Sequence, residues 1–219
     1  MENSDIPISD PTPDLAPTAK RILGAAQRVL SRDGFRALTF AAIAKEAGEN
    51  PALIRYHFGS KAGLISMLVD AVLYQEAVEL IETLSAQPPG EARRSALFEL
   101  HRRMAQDVSG YDEFYELIPN LLRDPELKPK LRELMTWYRA LDAWALAADV
   151  GEVGMRDADA RDADARELRP LSMLTVAVLD GVALQVEADP GLDVGPAYEL
   201  WESLVLRFLE ERDREAGRP

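Results

Sequence analysis

The sequence predicts an all-α protein of about nine helices, three of them forming a compact N-terminal head ahead of a larger helical body. Three observations carry this expectation. Apolar residues recur at helical spacing almost throughout the chain, and no stretch alternates as a half-buried strand would. The periodic stretches are separated by glycine and proline punctuation at Asp33-Gly34, Gly48, Gly59, Gln87-Pro88-Pro89-Gly90 and Ala188-Asp189-Pro190-Gly191. The chain is 219 residues long and has no cysteine, so it is long enough to bury a real core and must do so without disulfides.

The elements follow in order. Helix one starts at Pro17-Thr18, where proline is tolerated in a first turn, and buries Ile22, Ala25, Ala26, Val29 and Leu30 before Gly34 ends it. Thr39 caps a short helix from Phe40 to Ala47. Gly48 turns the chain, Asn50 caps a third helix from Pro51 to about Phe58, and Gly59 breaks it. Ser60 caps a long fourth helix reaching about Leu84. Further helices are expected from Glu91 to Val108, from Tyr111 to Arg123 (short or kinked at Pro119), and from near Pro125 to Ala148. Residues 151–167 read as a loop containing a tandem duplication, Arg156 to Ala160 and Arg161 to Ala165, too few copies for a repeat fold. Two last helices run from Pro170 to Glu187 and from Pro196 to Arg212. The expected organisation is a tail over 1–16, a helix-turn-helix domain over 17–62, a helical effector-binding and dimerisation body over 63–212, and a tail over 213–219.

Composition excludes several functions. Without cysteine there is no thiol chemistry and no thiolate metal site, and the two histidines, His57 and His101, are too few for a cage of protein ligands. No metal and no cofactor is expected. No glycine-rich phosphate loop and no Gly-x-Ser-x-Gly turn occurs, so an enzyme is not expected. The start of the chain lacks the basic and apolar segments of a secretory signal. No segment approaches the roughly 18 apolar residues of a membrane span, and the expected setting is cytoplasmic.

The net charge of −13 argues at first against nucleic acid, but its distribution does not. Thr18 to Lys61 holds eight bases (Lys20, Arg21, Arg28, Arg32, Arg36, Lys45, Arg55, Lys61) against three acids (Asp33, Glu46, Glu49), a net of +5. The residues before it carry four acids and no base, so everything after Lys61 sums to −14. A basic head on an acidic body suits a DNA-binding module joined to a body with another task.

The head also has the right local grammar. Two short helices joined by a three-residue turn containing glycine make a helix-turn-helix, whose second helix enters the major groove. Ile43, Ala44, Ala47, Ile54 and Phe58 supply an inner face, with small residues at 44 and 47 that let the helices cross closely. The outer side of the second helix offers Asn50, Ala52, Arg55, Tyr56 and His57. Arginine can fork onto guanine, while tyrosine and histidine can donate to phosphate oxygens.

The run Ile22 to Met67 resembles the N-terminal domain of the TetR family of bacterial repressors. The resemblance lies in Ile22-Leu23-Gly24-Ala25-Ala26, Gly34-Phe35, Thr39, Ile43-Ala44-Lys45-Glu46-Ala47-Gly48 and Ile54-Arg55-Tyr56-His57-Phe58-Gly59-Ser60-Lys61. It covers about the first third of the chain. It implies that Thr39, Tyr56, His57 and Lys61 lie near DNA phosphates and that Asn50, Pro51, Ala52 and Arg55 face base edges. Glu49 stands where the family has a small apolar residue, and Arg55 stands where it has tyrosine; whether Arg55 reads a base or a phosphate stays open at this point.

Partners follow from the same reading. A palindromic double-stranded operator is expected to be bound by a homodimer. Pro170 to Glu187 is nearly apolar all round and so should be covered on every side. The last helix adds an apolar stripe, and the interface is expected at Leu174, Val178, Gly181, Val182, Trp201, Leu204, Val205 and Phe208. The resemblance implies a four-helix bundle there and a small-molecule pocket among the middle helices. The pocket candidates are His101, Met104, Phe114, Tyr115, Ile118, Met135, Trp137, Tyr138 and Trp144. The identity of the effector is not encoded. The function expected is a repressor released from its operator by an effector; the alternative is a helical interaction module that has lost DNA binding.

Overall fold

The computed structural model describes residues 12–106, 112–147 and 167–215. Among them are nine α-helices, one turn of 3-10 helix at Phe35–Ala37, and no strand. The helices are α1 Pro17–Asp33, α2 Phe40–Ala47, α3 Pro51–Phe58, α4 Lys61–Ser85, α5 Glu91–Gln106, α6 Asp112–Arg123, α7 Lys128–Leu146, α8 Arg169–Ala188 and α9 Gly195–Glu215.

Local chemistry sets the first four. Pro17 opens α1, and the Gly34 N–H closes it on the Leu30 carbonyl, with Gly34 at φ 76°. Thr39 Oγ1 accepts the Ala42 N–H at 3.1 Å, and Asn50 Oδ1 accepts the Ala52 N–H at 2.9 Å, so each short helix has one of its orphan donors satisfied. Ser60 Oγ accepts the Gly63 N–H at 3.0 Å and starts α4. The expected bounds of α2 and α3 match the structure to the residue.

Later elements differ in informative ways. The seventh helix starts at Lys128 rather than Pro125. The Asp124 carboxylate accepts the Glu126 N–H at 2.9 Å, turning the chain before the helix begins. Helix α6, by contrast, runs through Pro119 to Arg123, the end expected for it. Helix α9 passes Arg212 to reach Glu215, because Asp213 is held by Arg212 and by the buried Arg94. The expected helix ends at Val108 and Ala148, the loop over 151–166 and its duplication, the first residues of the N-terminal tail and the last four residues lie outside the described residues.

Helix α8 is the exception to the expected lack of a membrane-length segment. It is long and apolar enough to cross a membrane by length and composition alone. One side of it, Ser172, Thr175, Val176, Leu179, Ala183 and Val186, is buried within its own chain. Asp180 and Gln185 also lie along it, so we read it as a core helix with an uncovered face.

The described residues fall into two compact units, Met1–Ile81 with Ser109–Trp137 and Glu82–Val108 with Tyr138–Pro219. In the first, α1 packs on α2, α2 on α3, and α6 on α1 and the 3-10 turn. Its core holds Ile22, Leu30, Leu38, Ile43, Ile54, Leu64 and Leu68. The Phe35 N–H donates to Glu116 Oε2 at 2.9 Å, fastening the turn after α1 to α6. In the second, α5 packs on α8 and α9. Arg94 knits that unit together: its Nε donates to the Leu146 carbonyl at 2.7 Å and its Nη2 to Asp213 at 3.2 Å.

Candidate nucleic-acid interface

The turn between α2 and α3 is built by Gly48, whose φ of 68° is the left-handed geometry that glycine takes without steric cost. The Glu49 N–H then closes on the Ala44 carbonyl at 2.9 Å. The inner residues Ile43, Ala44, Ile54 and Phe58 are buried, and Ala47 is half-buried. Fixing the two helices through these residues leaves the outer side of α3 to solvent. Asn50, Pro51, Ala52, Arg55 and Tyr56 are all exposed, with Tyr56 at 81 %. At that exposure Tyr56 offers both its ring and its hydroxyl to a partner.

His57 is half-buried, its ring edge-on to Tyr56 at 5.0 Å between centroids. Thr39 and Lys61 are exposed at the starts of α2 and α4. The Lys61 ammonium sits 5.5 Å from the centre of the Phe35 ring, a cation–π contact that holds it beside the motif. The structure thus keeps all eight expected DNA-facing residues in one continuous stretch of the first unit, each exposed except His57.

Glu49, the unusual acid of the turn, has a structural explanation. It accepts from Arg21 Nε at 3.0 Å and from Arg21 Nη2, tying the turn to α1. Glu46 does the same one turn back, accepting from Arg28 Nε at 2.9 Å and Arg32 Nη1 at 3.1 Å. Those hydrogen bonds hold the Glu46 carboxyl below its ordinary range, and Arg32 does likewise for Asp33. Three of the eight bases of the head are therefore matched by its own acids. Lys20, Arg36, Lys45, Arg55 and Lys61 form no ion pair with a described residue, so the net positive charge resides in them.

Gly63 is a residue that periodicity did not single out. A Cβ there would lie 2.2 Å from the Phe58 carbonyl oxygen, so only glycine lets α4 start this close to the end of α3. That joint sets the angle at which α3 meets α4.

The remaining candidates divide. Of the expected pocket residues, Tyr115, Ile118, Met135 and Trp137 belong to the first unit, and His101, Met104, Tyr138 and Trp144 to the second. The side chain of Phe114 lies outside the described residues. Trp144 stacks on the Arg93 guanidinium at 4.1 Å, and Met104 packs on the cluster of Ala105, Leu179, Val186, Val194 and Tyr198. Of the expected interface residues, Leu174, Leu204 and Phe208 are about half exposed, as are Met173, Leu184 and Leu200 beside them. Val178, Gly181, Val182 and Trp201 are half-buried, and a Cβ on Gly181 would meet open space. Val205 is a correction: at 1 % exposure it faces the core of its own chain and is not available to a partner.

Comparison with known proteins agrees with this geometry. Residues 22–68 match the family described as bacterial regulatory proteins, tetR family. The HTH-type transcriptional regulator BetI of Rhizobium meliloti is 32% identical over 87 residues, 40% of this chain and 43% of that protein. The HTH-type transcriptional repressor BdcR of Escherichia coli is 33% identical over 89 residues, 40% of this chain and 45% of that protein. The chain thus spans less than half the length of the curated relatives it matches. The likeness of fold reaches further. A crystal structure of a Pseudomonas aeruginosa PAO1 protein superposes with a TM-score of 0.65 at 20% identity, covering 92% of this chain and 96% of that one.

Proposed function

Residues 22–68 match the tetR family of bacterial regulatory proteins, and on that premise we propose that the chain is a member of it and a sequence-specific DNA-binding transcriptional regulator, a repressor released from its operator by a small-molecule effector. The observation that carries the proposal is the outer side of α3: a capped, rigid helix presenting Asn50, Ala52, Arg55 and Tyr56 to solvent beside unpaired cations. In this reading α3 lies in the major groove with its N-terminal residues, Asn50, Pro51 and Ala52, towards base edges. Asn50 spends its carbonyl oxygen on the helix cap and keeps its amide NH2 for DNA. Arg55 reaches a guanine or a phosphate, and Thr39, Tyr56, His57 and Lys61 hold the backbone.

A second copy of the chain covers the half-exposed apolar residues of α8 and α9, so that two heads meet the two halves of a palindrome. Residues 17–62 form the DNA-binding head and 63–212 the body, which takes up the effector. A repressor reading is favoured by the curated relative named as one. The cytoplasm is the setting such a regulator requires.

Arg55→Ala tests the head. If Arg55 reads a base, the variant binds its specific duplex roughly 1–3 kcal/mol more weakly while its affinity for random duplex barely changes. Fluorescence anisotropy on both duplexes at fixed salt reads the difference. An equal loss on both reassigns Arg55 to phosphate, and no loss on either removes it from the interface.

A further inference from the structure

Four polar side chains from four helices lie within electrostatic reach of one another inside the second unit: His101 on α5 in contact with Asp142 on α7, with Asp180 on α8 and Tyr198 on α9 near them. Three are nearly inaccessible, His101 at 5 %, Asp142 at 1 % and Tyr198 at 3 %, and Asp180 is half-buried. Around them the unit is apolar, with Ala105, Leu179 and Val186 packed on Tyr198, and Met104 and Val182 against that cluster.

The charges do not balance. The His101 Nε2 lies 3.4 Å from Asp142 Oδ1, so the imidazole can offset one carboxylate at most. Asp180 is the second, and it feels both the His101 and the Asp142 charge. Hydrogen bonding does not balance either. Asp142 Oδ2 and the Tyr198 hydroxyl are both buried with no partner among the described residues. A spare acceptor, a spare hydroxyl and one unmatched negative charge in apolar surroundings would cost several kcal/mol if nothing ever filled them. Among the described residues no group of three or more histidine and carboxylate ligands could hold a metal ion, and the neighbouring side chains are hydrocarbon and thioether. Those neighbours suit a cation that carries an apolar body.

We propose that this cluster binds the charged nitrogen of a small organic ammonium ligand, with Asp142 and Asp180 supplying the negative charge, Asp142 Oδ2 accepting its N–H and Tyr198 its remaining polar contact. The proposal rests on the reading of the body as an effector-binding domain and names the chemical class of that effector. The apolar part of the ligand lies against Met104, Leu179 and Val182.

The test uses the full chain and two probes of the same shape, tert-butylammonium chloride and tert-butanol, at pH 7.5 with potassium chloride as the ionic control. Thermal unfolding is followed as each is titrated. The ammonium raises the melting temperature in a saturable way, and the alcohol and the salt do not. Asp142→Asn and Asp180→Asn keep the shape of the site, each remove one negative charge from it, and each weaken ammonium binding at least tenfold. Tyr198→Phe weakens it less and serves if an asparagine variant does not fold. No shift with the ammonium, an equal shift with the alcohol, or a response that survives both asparagine substitutions overturns the proposal. Anisotropy on duplex DNA with the same preparations separates the two readings. DNA binding without an ammonium response sinks the cation site and leaves the regulator; an ammonium response without DNA binding leaves the site and sinks the regulator.

Discussion

Asp180→Asn is expected to stabilise the unliganded protein, and the gain should depend on pH. Burial, opposed by the His101 charge and helped by the neighbouring Asp142 charge, pushes the Asp180 carboxyl up to about 6. An acid whose proton is held more tightly in the folded chain stabilises that chain when protonated and loses this stabilisation as the pH rises through its folded value. With each tenfold change in proton affinity worth about 1.4 kcal/mol, keeping Asp180 ionised at pH 7.5 costs the fold on the order of 3 kcal/mol. At pH 5, between the unfolded and folded values, roughly half that cost remains, by the same linkage. The asparagine variant never ionises. It should therefore exceed the parent by on the order of 3 kcal/mol at pH 7.5 and by about half as much at pH 5. Urea denaturation at one fixed protein concentration measures both gaps. A variant that is less stable than the parent, or a gain that does not change with pH, would refute the claim that an unmatched, half-buried carboxylate sits there.

Two further substitutions probe the rest of the molecule. Leu204→Glu combined with Phe208→Glu places charge on the half-exposed stripe of α9. Sedimentation velocity should then show monomers with unchanged helix content, and a dimer that persists would move the interface elsewhere. Gly63→Ala forces a methyl group onto the Phe58 carbonyl and should cost about 1–3 kcal/mol as an overpacked joint. Circular dichroism and anisotropy should report a folded body with DNA binding weakened more than tenfold. Unaltered DNA binding would show that the α3–α4 joint does not orient the recognition helix.

The sequence makes α2 and α3 legible because their ends are written locally. Thr39 and Asn50 cap with atoms two or three residues away, and Gly48 turns with its own backbone. The role of Glu49 was not legible, since its partner Arg21 lies 28 residues earlier on another helix. For the same reason the summed charge of the head conceals which bases are spent internally. The start of α7 was misplaced because Asp124 competes for backbone donors that a helix beginning at Pro125 would need, a choice that apolar spacing does not record. Val205 satisfied the stripe of α9 yet points inward, since an apolar face wider than one stripe serves two neighbours at once. The polar cluster of His101, Asp142, Asp180 and Tyr198 draws one residue from each of four helices, so no local pattern announces it.

The central claim is that a pair of these heads reads a palindromic DNA site. The most direct measurement is selection of bound duplexes from a random double-stranded pool, followed by salt titration of the enriched sequence. An inverted repeat with half-sites about one helical turn apart or a multiple of it, bound by two chains per site, is the predicted result. Its affinity should fall steeply and linearly with salt on logarithmic axes. A pool that yields no enriched sequence, together with no salt-dependent binding to any duplex, would contradict the account and leave a helical module that does not bind DNA.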